Sequence, residues 1–408
     1  MIKANEHYSK LQASYLFSDI SKKVNEHKKN NPESQVISLG IGDVTQPLAP
    51  AIIEAFHEGV SEMADEKSFQ GYGPSEGYDF LREAIAKNDF KDKNADIDAD
   101  EIFVSDGAKC DTANFQELFA NDIKIAIPDP VYPVYLDTNV MAGRTKEFFD
   151  GRYKGIAYMD CLAENNFLPK FPDEKVDLIY LCFPNNPTGS TATKQELEAW
   201  VDYAKDNKAL ILFDSAYEAF ICDDRLPKSI YEIDGAKEVA VEFRSFSKKA
   251  GFTGTRCGFT IVPRECMIFN LKNEKVSLYD MWKRRQNTKF NGVSYPVQRA
   301  AFAVYLDTGK AQVKAQIDYY MQNAKTIIKT IESLGFDYVG GKNSPYVWIN
   351  TKNHDSWEFF NWLLTQTSVV CTPGEGFGKC GKSYIRLSSF NSYENVCIAM
   401  DRLKKALS

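Results

Sequence analysis

The sequence predicts an α/β protein: a large domain with a mostly parallel sheet flanked by helices, and a smaller α+β domain formed from the N- and C-terminal parts. Short apolar segments alternate with helical patterns through the middle of the chain, which is typical of a parallel sheet covered on both faces. Beyond about Pro296 this alternation stops. We therefore expect an N-terminal arm and part of the small domain over 1–47, a large cofactor-binding domain over 48–295 and a small C-terminal domain over 296–408.

Five predicted strands share an apolar character and end at polar or proline-rich segments. They cover residues 101–104, 123–127, 177–183, 209–213 and 238–243. The third is apolar almost throughout, which indicates burial on both faces. Between the third and fourth strands, Thr193 and Glu196 form a capping-box pattern at the start of a helix. Because open sheets of this kind bind ligands beyond the carboxyl ends of their strands, the polar residues that follow these strands are candidates for a site.

The expected small domain contains fewer and shorter strands. The sequence predicts a short isolated strand over 36–39 and a helical stretch over 300–334. Further short strands are expected near 346–349 and 384–387. The pattern is that of helices packed against a small sheet.

Composition narrows the class of protein. The 408 residues carry a net charge of −7, which argues against a nucleic-acid partner. Apolar runs fall short of the roughly 18–20 residues that cross a membrane, and residues 1–10 lack a signal-peptide pattern. The nine cysteines without a C-x-x-C pair favour reduced thiols in a cytoplasmic protein. Four histidines without an H-E-x-x-H motif predict no metal site.

The strongest chemical signal lies between Ser245 and Gly258. Hydroxyls, lysines, small residues and an arginine fall within this short segment. A lysine amine such as that of Lys248 can form a Schiff base with an aldehyde cofactor. Serine hydroxyls and the nearby Arg256 suit a phosphate group, and glycines allow close approach of the backbone. Taken alone, the segment is equally consistent with a surface loop.

Polar residues also follow two of the apolar strands. Asp214 ends the fourth predicted strand, and Tyr217 follows three residues later. A carboxylate there can pair with a protonated pyridine nitrogen, as pyridoxal phosphate enzymes require, and a tyrosine can donate to the ring phenolate. Asn186, in an N-P-T-G turn, can reach the same phenolate oxygen. The residues alone leave open that Asp214 is a helix N-cap and that Asn186 belongs to a plain loop.

These segments together resemble the fold-type I pyridoxal phosphate aminotransferases in order and spacing. The motifs are Asn186-Pro187-Thr188-Gly189, Asp214-x-x-Tyr217 and Ser245-x-Ser247-Lys248-x-x-Gly251-x-x-Gly254-x-Arg256. The resemblance implies pyridoxal 5'-phosphate as cofactor and Lys248 as the Schiff-base lysine, with the adjacent Lys249 as the alternative. It also implies three catalytic residues, Lys248, Asp214 at the pyridine nitrogen and Tyr217 at the phenolate oxygen. The implied phosphate ligands are Ser245, Ser247 and Arg256.

The likeness narrows to the LL-diaminopimelate aminotransferases and covers nearly the whole chain. The segments that carry it are 15–17, 39–47, 71–74, 105–109, 129–133 and 290–292. Lys109, after the Gly-Ala pair, is the mark of this group. The resemblance implies interconversion of LL-2,6-diaminopimelate and 2-oxoglutarate with tetrahydrodipicolinate, glutamate and water, in lysine and diaminopimelate biosynthesis. An aspartate, aromatic or broad-specificity aminotransferase, a C–S lyase and a non-catalytic protein of the same fold are the alternatives.

The same resemblance implies further site residues. Ala108 and Lys109 open a helix whose free N–H groups favour a phosphate, and Tyr132 can lie flat on the cofactor ring. Arg386 has the planar fork suited to a substrate carboxylate, although a solvent-facing strand arginine fits its pattern as well. The implied substrate contacts are Tyr15, Gly42, Lys109, Tyr132, Asn186, Asn291 and Arg386.

A homodimer with shared active sites is also implied by this resemblance. Tyr72 would touch the phosphate in the other subunit, and Asn291 would reach the substrate there. One position departs from the family pattern. Ser75 stands where several relatives have an acidic residue for the distal ammonium of diaminopimelate, so we expect Glu76 or another carboxylate to take that contact, or a water to bridge it.

Overall fold

The structure is a computed structural model that describes residues 1–12, 16–352 and 354–407. The strands in these ranges are β1 (Ile37–Ser38), β2 (Ile102–Ser105), β3 (Ile125–Asp129), β4 (Phe148–Phe149), β5 (Arg152–Tyr153), β6 (Ile156–Asp160), β7 (Leu178–Cys182), β8 (Leu210–Asp214), β9 (Ala240–Ser245), β10 (Gly258–Ile261), β11 (Met267–Phe269), β12 (Lys275–Ser277), β13 (Tyr338–Gly340), β14 (Tyr346–Asn350), β15 (Val369–Val370), β16 (Thr372–Pro373) and β17 (Tyr384–Ser388).

The α-helices in the same ranges are α1 (Leu16–Asn30), α2 (Pro50–Glu62), α3 (Asp79–Ile85), α4 (Ala108–Phe115), α5 (Val134–Met141), α6 (Lys194–Asn207), α7 (Ala236–Val239), α8 (Phe246–Lys249), α9 (Leu278–Lys289), α10 (Tyr295–Ala303), α11 (Asp307–Ser333), α12 (Ser356–Thr367) and α13 (Tyr393–Leu407). Within the described residues, none of them combines the length and the apolar character needed to span a bilayer.

A large mixed sheet forms the centre of the molecule. Among the described residues its strands lie in the order β2-β10-β9-β8-β7-β3-β6. All neighbours run parallel except β10, which runs antiparallel to both β2 and β9. Strands β7 and β8 are buried along their whole length, as the apolar runs predict. The expectation of a mostly parallel sheet flanked by helices is confirmed, and β10 is an addition that the sequence pattern did not indicate.

The helix α6 shows how local sequence sets an element on this sheet. The Thr193 hydroxyl accepts the Glu196 N–H at 3.3 Å, and the Glu196 carboxylate accepts the Thr193 N–H at 2.7 Å. This closes the predicted capping box and satisfies two N–H groups at the helix start. The buried face of α6 consists of Leu197, Trp200, Val201 and Ala204. The helix thus packs one apolar stripe against the sheet and leaves the other side to solvent.

The second sheet belongs to the C-terminal part of the chain. Its described strands are ordered β13-β14-β17-β16, and all neighbours pair antiparallel. The N-terminal strand β1 pairs in parallel with β15, so the prediction of an isolated strand there was wrong. The reason is that its partner lies more than 330 residues further along the chain, where a local pattern cannot reveal it. Leu16, Ile20 and Leu39 share one core with the C-terminal part.

The helical stretch expected over 300–334 is two helices, α10 and α11. The helical conformation is interrupted at Leu306, which adopts an extended backbone before α11 begins. A Cβ on Gly309 would lie 1.8 Å from the Ala303 carbonyl oxygen, so this sharp turn requires a residue without a side chain. Val304 and Val313, beyond the expected boundary at 295, pack in the core of the large sheet. The domain boundaries stay a prediction.

A close backbone contact joins the two sheets behind the Asn186 turn. Gly189 and Gly340 both adopt positive φ, at 71° and 82°. A Cβ on Gly340 would lie 2.4 Å from the Tyr346 carbonyl oxygen and 2.5 Å from that of Thr188. The turn that carries Asn186 is therefore seated directly on the end of β13.

We expect Gly340→Ala to destabilise the protein more than Gly335→Ala. Both glycines have positive φ, but a Cβ on Gly335 meets no atom within 4 Å. The control variant isolates the backbone cost, about 1 kcal/mol, since a Cβ disfavours the left-handed region. Overpacking should add roughly 1–3 kcal/mol at Gly340. Urea unfolding of the two variants measures the difference. Equal losses of unfolding free energy would show that the contact between the sheets can adjust to the added Cβ without cost.

Candidate active site

A cavity of about 460 Å³ opens at the carboxyl ends of the parallel strands. Asp214 ends β8, Ser245 ends β9, and Asn186 lies in the turn after β7. The cavity is lined by the predicted site residues Gly42, Ala108, Lys109, Tyr132, Asn186, Asp214, Tyr217, Ser245, Ser247, Lys248, Arg256 and Arg386. Residues far apart in sequence meet here because parallel strands end at one edge of the sheet.

The other predicted residues that the structure describes lie elsewhere. Tyr72 has a relative exposure of 92%, and Asn291 is exposed as well. Glu76, the expected substitute for Ser75, has a carboxylate oxygen 3.7 Å from Lys283 Nζ. Within one chain, the side chains of these three residues are not brought into the cavity. The predicted substrate residue Tyr15 lies outside the described residues.

One corner of the cavity has the donors that a phosphate group needs. Arg256 donates to the Ser247 hydroxyl at 3.1 Å, and the Ser245 hydroxyl accepts the Ser247 N–H at 3.1 Å. A Cβ on Gly107 would lie 2.3 Å from a guanidinium nitrogen of Arg256. Glycine at that position therefore lets the arginine lie against the start of α4, beginning at Ala108, where the first N–H groups of the helix can also bind an anion.

Asp214 contributes a buried carboxylate to the cavity. Its oxygens accept the Tyr135 hydroxyl and, at 3.0 Å, the Ala216 N–H. Burial raises the pKa of Asp214 above its usual value, and these two hydrogen bonds act against that rise. Neither donor carries a charge. A protonated pyridine nitrogen would supply the positive partner that the carboxylate otherwise lacks.

A hydrogen-bonded chain of buried side chains forms a further part of the cavity lining. The Tyr217 and Tyr346 hydroxyls are 2.8 Å apart, and the Asn186 amide nitrogen lies 3.5 Å from the Tyr217 hydroxyl. Arg386 donates to the Asn186 amide oxygen at 2.6 Å and to the Gly40 carbonyl at 2.7 Å. This arrangement turns the Asn186 NH₂ group toward Tyr217, where both can donate to one phenolate oxygen.

The Arg386 guanidinium can donate a further hydrogen bond. Its guanidinium is 1% exposed, and its Nε has no hydrogen-bond partner among the residues that the structure describes. Buried donors of a charged group are costly to leave unpaired. A carboxylate entering the cavity beside Gly42, which carries no side chain, would provide such a partner.

Lys248 extends from the end of α8 into the cavity. Its ammonium donates to the Gly42 carbonyl oxygen. Burial lowers the pKa of Lys248 to about 8, with Asp43 acting in the opposite direction. A sizeable fraction of this amine is therefore neutral near pH 8, the form that acts as a nucleophile or base.

Lys249 points the other way, into a cluster of buried charges. Its ammonium lies 2.7 Å from Asp89 and 3.4 Å from Glu218. Burial acts to lower the pKa of Lys249, but the two carboxylates more than offset this and raise it. The two neighbouring lysines thus differ in direction and in charge state, and the one in the cavity is Lys248.

Sequence reasoning missed two tyrosines of this site. Tyr135 donates to Asp214, and Tyr346 contacts Tyr217. Tyr135 follows Tyr132 by three positions, next to the start of α5, so a helical pattern could have placed the two side by side. No local pattern connects Tyr346 with Tyr217, because 129 residues separate them.

The sequence and the structure of this chain are both similar to those of known proteins. The model of the aminotransferase class I and II family matches residues 34–403. The chain belongs to this aminotransferase family. The cofactor of this aminotransferase is pyridoxal 5'-phosphate. The cavity fits that group, because it contains donors for a phosphate, a carboxylate whose hydrogen-bond donors are uncharged, and a lysine.

Individual relatives match this chain over its whole length. It is 66% identical over 407 residues to the LL-diaminopimelate aminotransferase of Desulforapulum autotrophicum, with 100% of each chain covered. It is 65% identical over 409 residues to that of Desulfotalea psychrophila, again with 100% of each covered. Among solved structures, L,L-diaminopimelate aminotransferase from Chlamydomonas reinhardtii is 39% identical with a TM-score of 0.94, covering 100% of this chain and 99% of that one.

We expect Lys249→Met to destabilise the aminotransferase strongly at neutral pH, because it leaves Asp89 and Glu218 buried without their nearest cation. Breaking a buried ion pair from one side costs about 3–5 kcal/mol. The exposed pair Lys87–Asp92 gives the control, since Lys87→Met at such a site should cost under about 1 kcal/mol. Urea unfolding measures both losses.

The pH dependence of this loss has a definite sign. Burial acts to raise the pKa of Asp89, but Lys249, Lys93 and Arg244 outweigh it and hold the pKa below its usual value. The stability that this carboxylate contributes is present above its unfolded pKa and is lost as pH falls through the folded value. The cost of Lys249→Met should therefore shrink toward acidic pH. A cost that is the same at pH 4 and pH 7 would contradict this account.

Proposed function

We propose that this aminotransferase interconverts LL-2,6-diaminopimelate and 2-oxoglutarate with tetrahydrodipicolinate, glutamate and water, in lysine and diaminopimelate biosynthesis. The observation that carries the proposal is the full-length identity of 66% with an LL-diaminopimelate aminotransferase. The position of Lys109 at the cavity supports it, because a substrate with two carboxylates needs a second cation besides Arg386. An aspartate or aromatic substrate is the alternative, since it would use the same cofactor residues.

The proposed roles follow from charge and position. When bound, pyridoxal phosphate supplies an electron sink for the carbanion at the substrate α-carbon. Lys248 would hold the cofactor covalently and, once released, would move the α-proton, because its lowered pKa makes the neutral amine accessible. Asp214 would hold the ring nitrogen in its protonated form. Tyr217 and Asn186, which lie next to each other, would donate to the phenolate oxygen.

The remaining residues bind and orient. The phosphate group is assigned to Ala108, Ser245, Ser247 and Arg256. Tyr132 lies at the cavity wall, where its ring can stack on a planar group. Arg386 would clamp the α-carboxylate, and Lys109 the distal one. For the distal ammonium we propose Glu76, which would have to reach the site of the second subunit as Tyr72 would, with Asp43 as the carboxylate that lines the cavity within one chain.

A homodimer with shared active sites is part of this proposal. Tyr72 and Asn291 are exposed in a single chain, and each would complete the site of the second subunit. Aromatic side chains that stand free of their own chain are typical of interfaces. We further propose a cytoplasmic location, which the nine free cysteines support because thiols stay reduced there.

Absorbance spectroscopy of the cofactor-loaded protein tests the substrate. LL-diaminopimelate should abolish the band of the lysine-bound cofactor, and 2-oxoglutarate should restore it. Aspartate and meso-diaminopimelate are added to separate samples, and Lys248→Ala serves as the control that lacks the starting band. Loss of the band with aspartate but not with diaminopimelate would favour the alternative. A further sample receives cystathionine, and formation of pyruvate from it without glutamate exchange would indicate a C–S lyase.

Mixing two inactive variants tests the shared site. Asn291→Ala and Lys248→Ala should each be nearly inactive alone. In a mixed dimer one site contains Lys248 and Asn291 from different chains, so random pairing at equal amounts should restore about a quarter of native sites. Lys248→Ala mixed with Asp214→Asn is the matched control, since both residues line the same cavity and no native site can form. Mixed dimers without recovered activity would contradict the assignment of Asn291.

A further inference from the structure

Asp214 depends on a side chain that has so far been given no part in the reaction. The Tyr135 hydroxyl donates to one oxygen of the Asp214 carboxylate, and the Ala216 N–H donates to the other. The backbone donor is fixed by the turn after β8. Tyr135 is therefore the side chain that determines how this carboxylate is held.

Tyr135 is itself held rigidly. Its ring is 1% exposed and stacks on the Tyr180 ring, with centroids 5.1 Å apart and planes at 20°. Asn139, which is fully buried, donates to the Tyr135 carbonyl at 2.8 Å and to the Tyr180 hydroxyl at 3.1 Å. A side chain locked by packing and by buried hydrogen bonds presents its hydroxyl in one direction.

The electrostatic problem at Asp214 explains why this donor matters. A buried carboxylate tends to take up a proton, and a neutral carboxyl cannot balance a protonated ring nitrogen. Burial raises the pKa of Asp214, and the hydrogen bond from Tyr135 acts to lower it. Tyr135 stays a donor, because burial also raises the pKa of its own hydroxyl well above the usual value. Cys182, the other titratable neighbour, is kept in its neutral thiol form by burial, which raises its pKa.

We propose that Tyr135 is a positioning residue that keeps Asp214 ionised and directed at the cofactor ring nitrogen. The inference rests on the proposed function, in which Asp214 meets that nitrogen. Tyr135 touches neither cofactor nor substrate in this role and acts through Asp214 alone. Its hydroxyl should therefore matter only when the bound ring contains a nitrogen.

The experiment compares Tyr135→Phe with Tyr180→Phe. Each variant loses one buried hydroxyl and keeps both rings of the stacked pair, but the Tyr180 hydroxyl is bonded to Asn139, whereas that of Tyr135 is bonded to Asp214. Cofactor-free protein of each variant is titrated with pyridoxal phosphate and with its 1-deaza analogue, in which carbon replaces the ring nitrogen. Circular dichroism verifies that both variants are folded.

Tyr135→Phe should weaken pyridoxal phosphate binding by about tenfold to a hundredfold, the range for a hydrogen bond to a charged group. Its affinity for the deaza analogue should equal that of the unmodified protein or exceed it. Tyr180→Phe should bind both compounds within about twofold of the unmodified protein. Carbon-13 NMR of the cofactor-free protein, with Asp214→Asn identifying the signal, measures the pKa of Asp214. This pKa should be higher in Tyr135→Phe than in the unmodified protein and should be unchanged in Tyr180→Phe.

Equal losses of affinity for both compounds in Tyr135→Phe, or no loss of affinity for either, would overturn the inference. So would an unchanged pKa of Asp214. Asp214→Asn separates this failure from that of the proposed function. If Asp214→Asn loses affinity only for the nitrogen-containing ring while Tyr135→Phe does not, the role of Tyr135 alone is wrong. If Asp214→Asn binds both compounds as well as the unmodified protein, both proposals fall.

Discussion

The site is organised around one buried carboxylate at the end of a central strand. Asp214 is 9% exposed, so little water reaches its charge, which has to be balanced largely by groups of fixed position. The strand order places β8 between β7 and β9, and the turns after these three strands supply Asn186, Tyr217 and the segment from Ser245 onward. A planar cofactor with a phosphate group and a protonated ring nitrogen would supply a partner to both the phosphate donors and this carboxylate.

One hydrogen bond connects the two sheets at the cavity. Arg386 belongs to β17 of the second sheet, yet its guanidinium is bonded to Asn186 in the turn after β7 of the first. The contact of Gly189 with Gly340 holds that turn against β13 close by. A change in the separation of the sheets would therefore move Arg386 and Asn186 together. Under the roles proposed for these two residues, substrate binding and cofactor chemistry are coupled through one short turn.

Much of this could be predicted from the sequence, and the reasons for the failures are physical. The strands β7 and β8 and the helix α6 follow from local patterns: apolar runs and a capping box. The predicted residues that line the cavity could be grouped from the sequence because most of them follow strands closely along the chain. The strand β10 was missed because it has only four residues and continues directly from the glycine-rich segment. The pairing of β1 with β15 and the contact of Arg386 with Asn186 join residues hundreds of positions apart, where tertiary packing alone decides.

The two adjacent lysines illustrate how a fold achieves chemoselectivity. Lys248 and Lys249 have the same side chain and share one short helix, so no reagent could distinguish them in an unfolded chain. In the folded protein one amine is partly deprotonated beside an open cavity, and the other is fixed as an ammonium between Asp89 and Glu218. An electrophile that reached both would therefore react with the first. Selectivity between identical groups is here a property of the surrounding charges rather than of the lysines themselves.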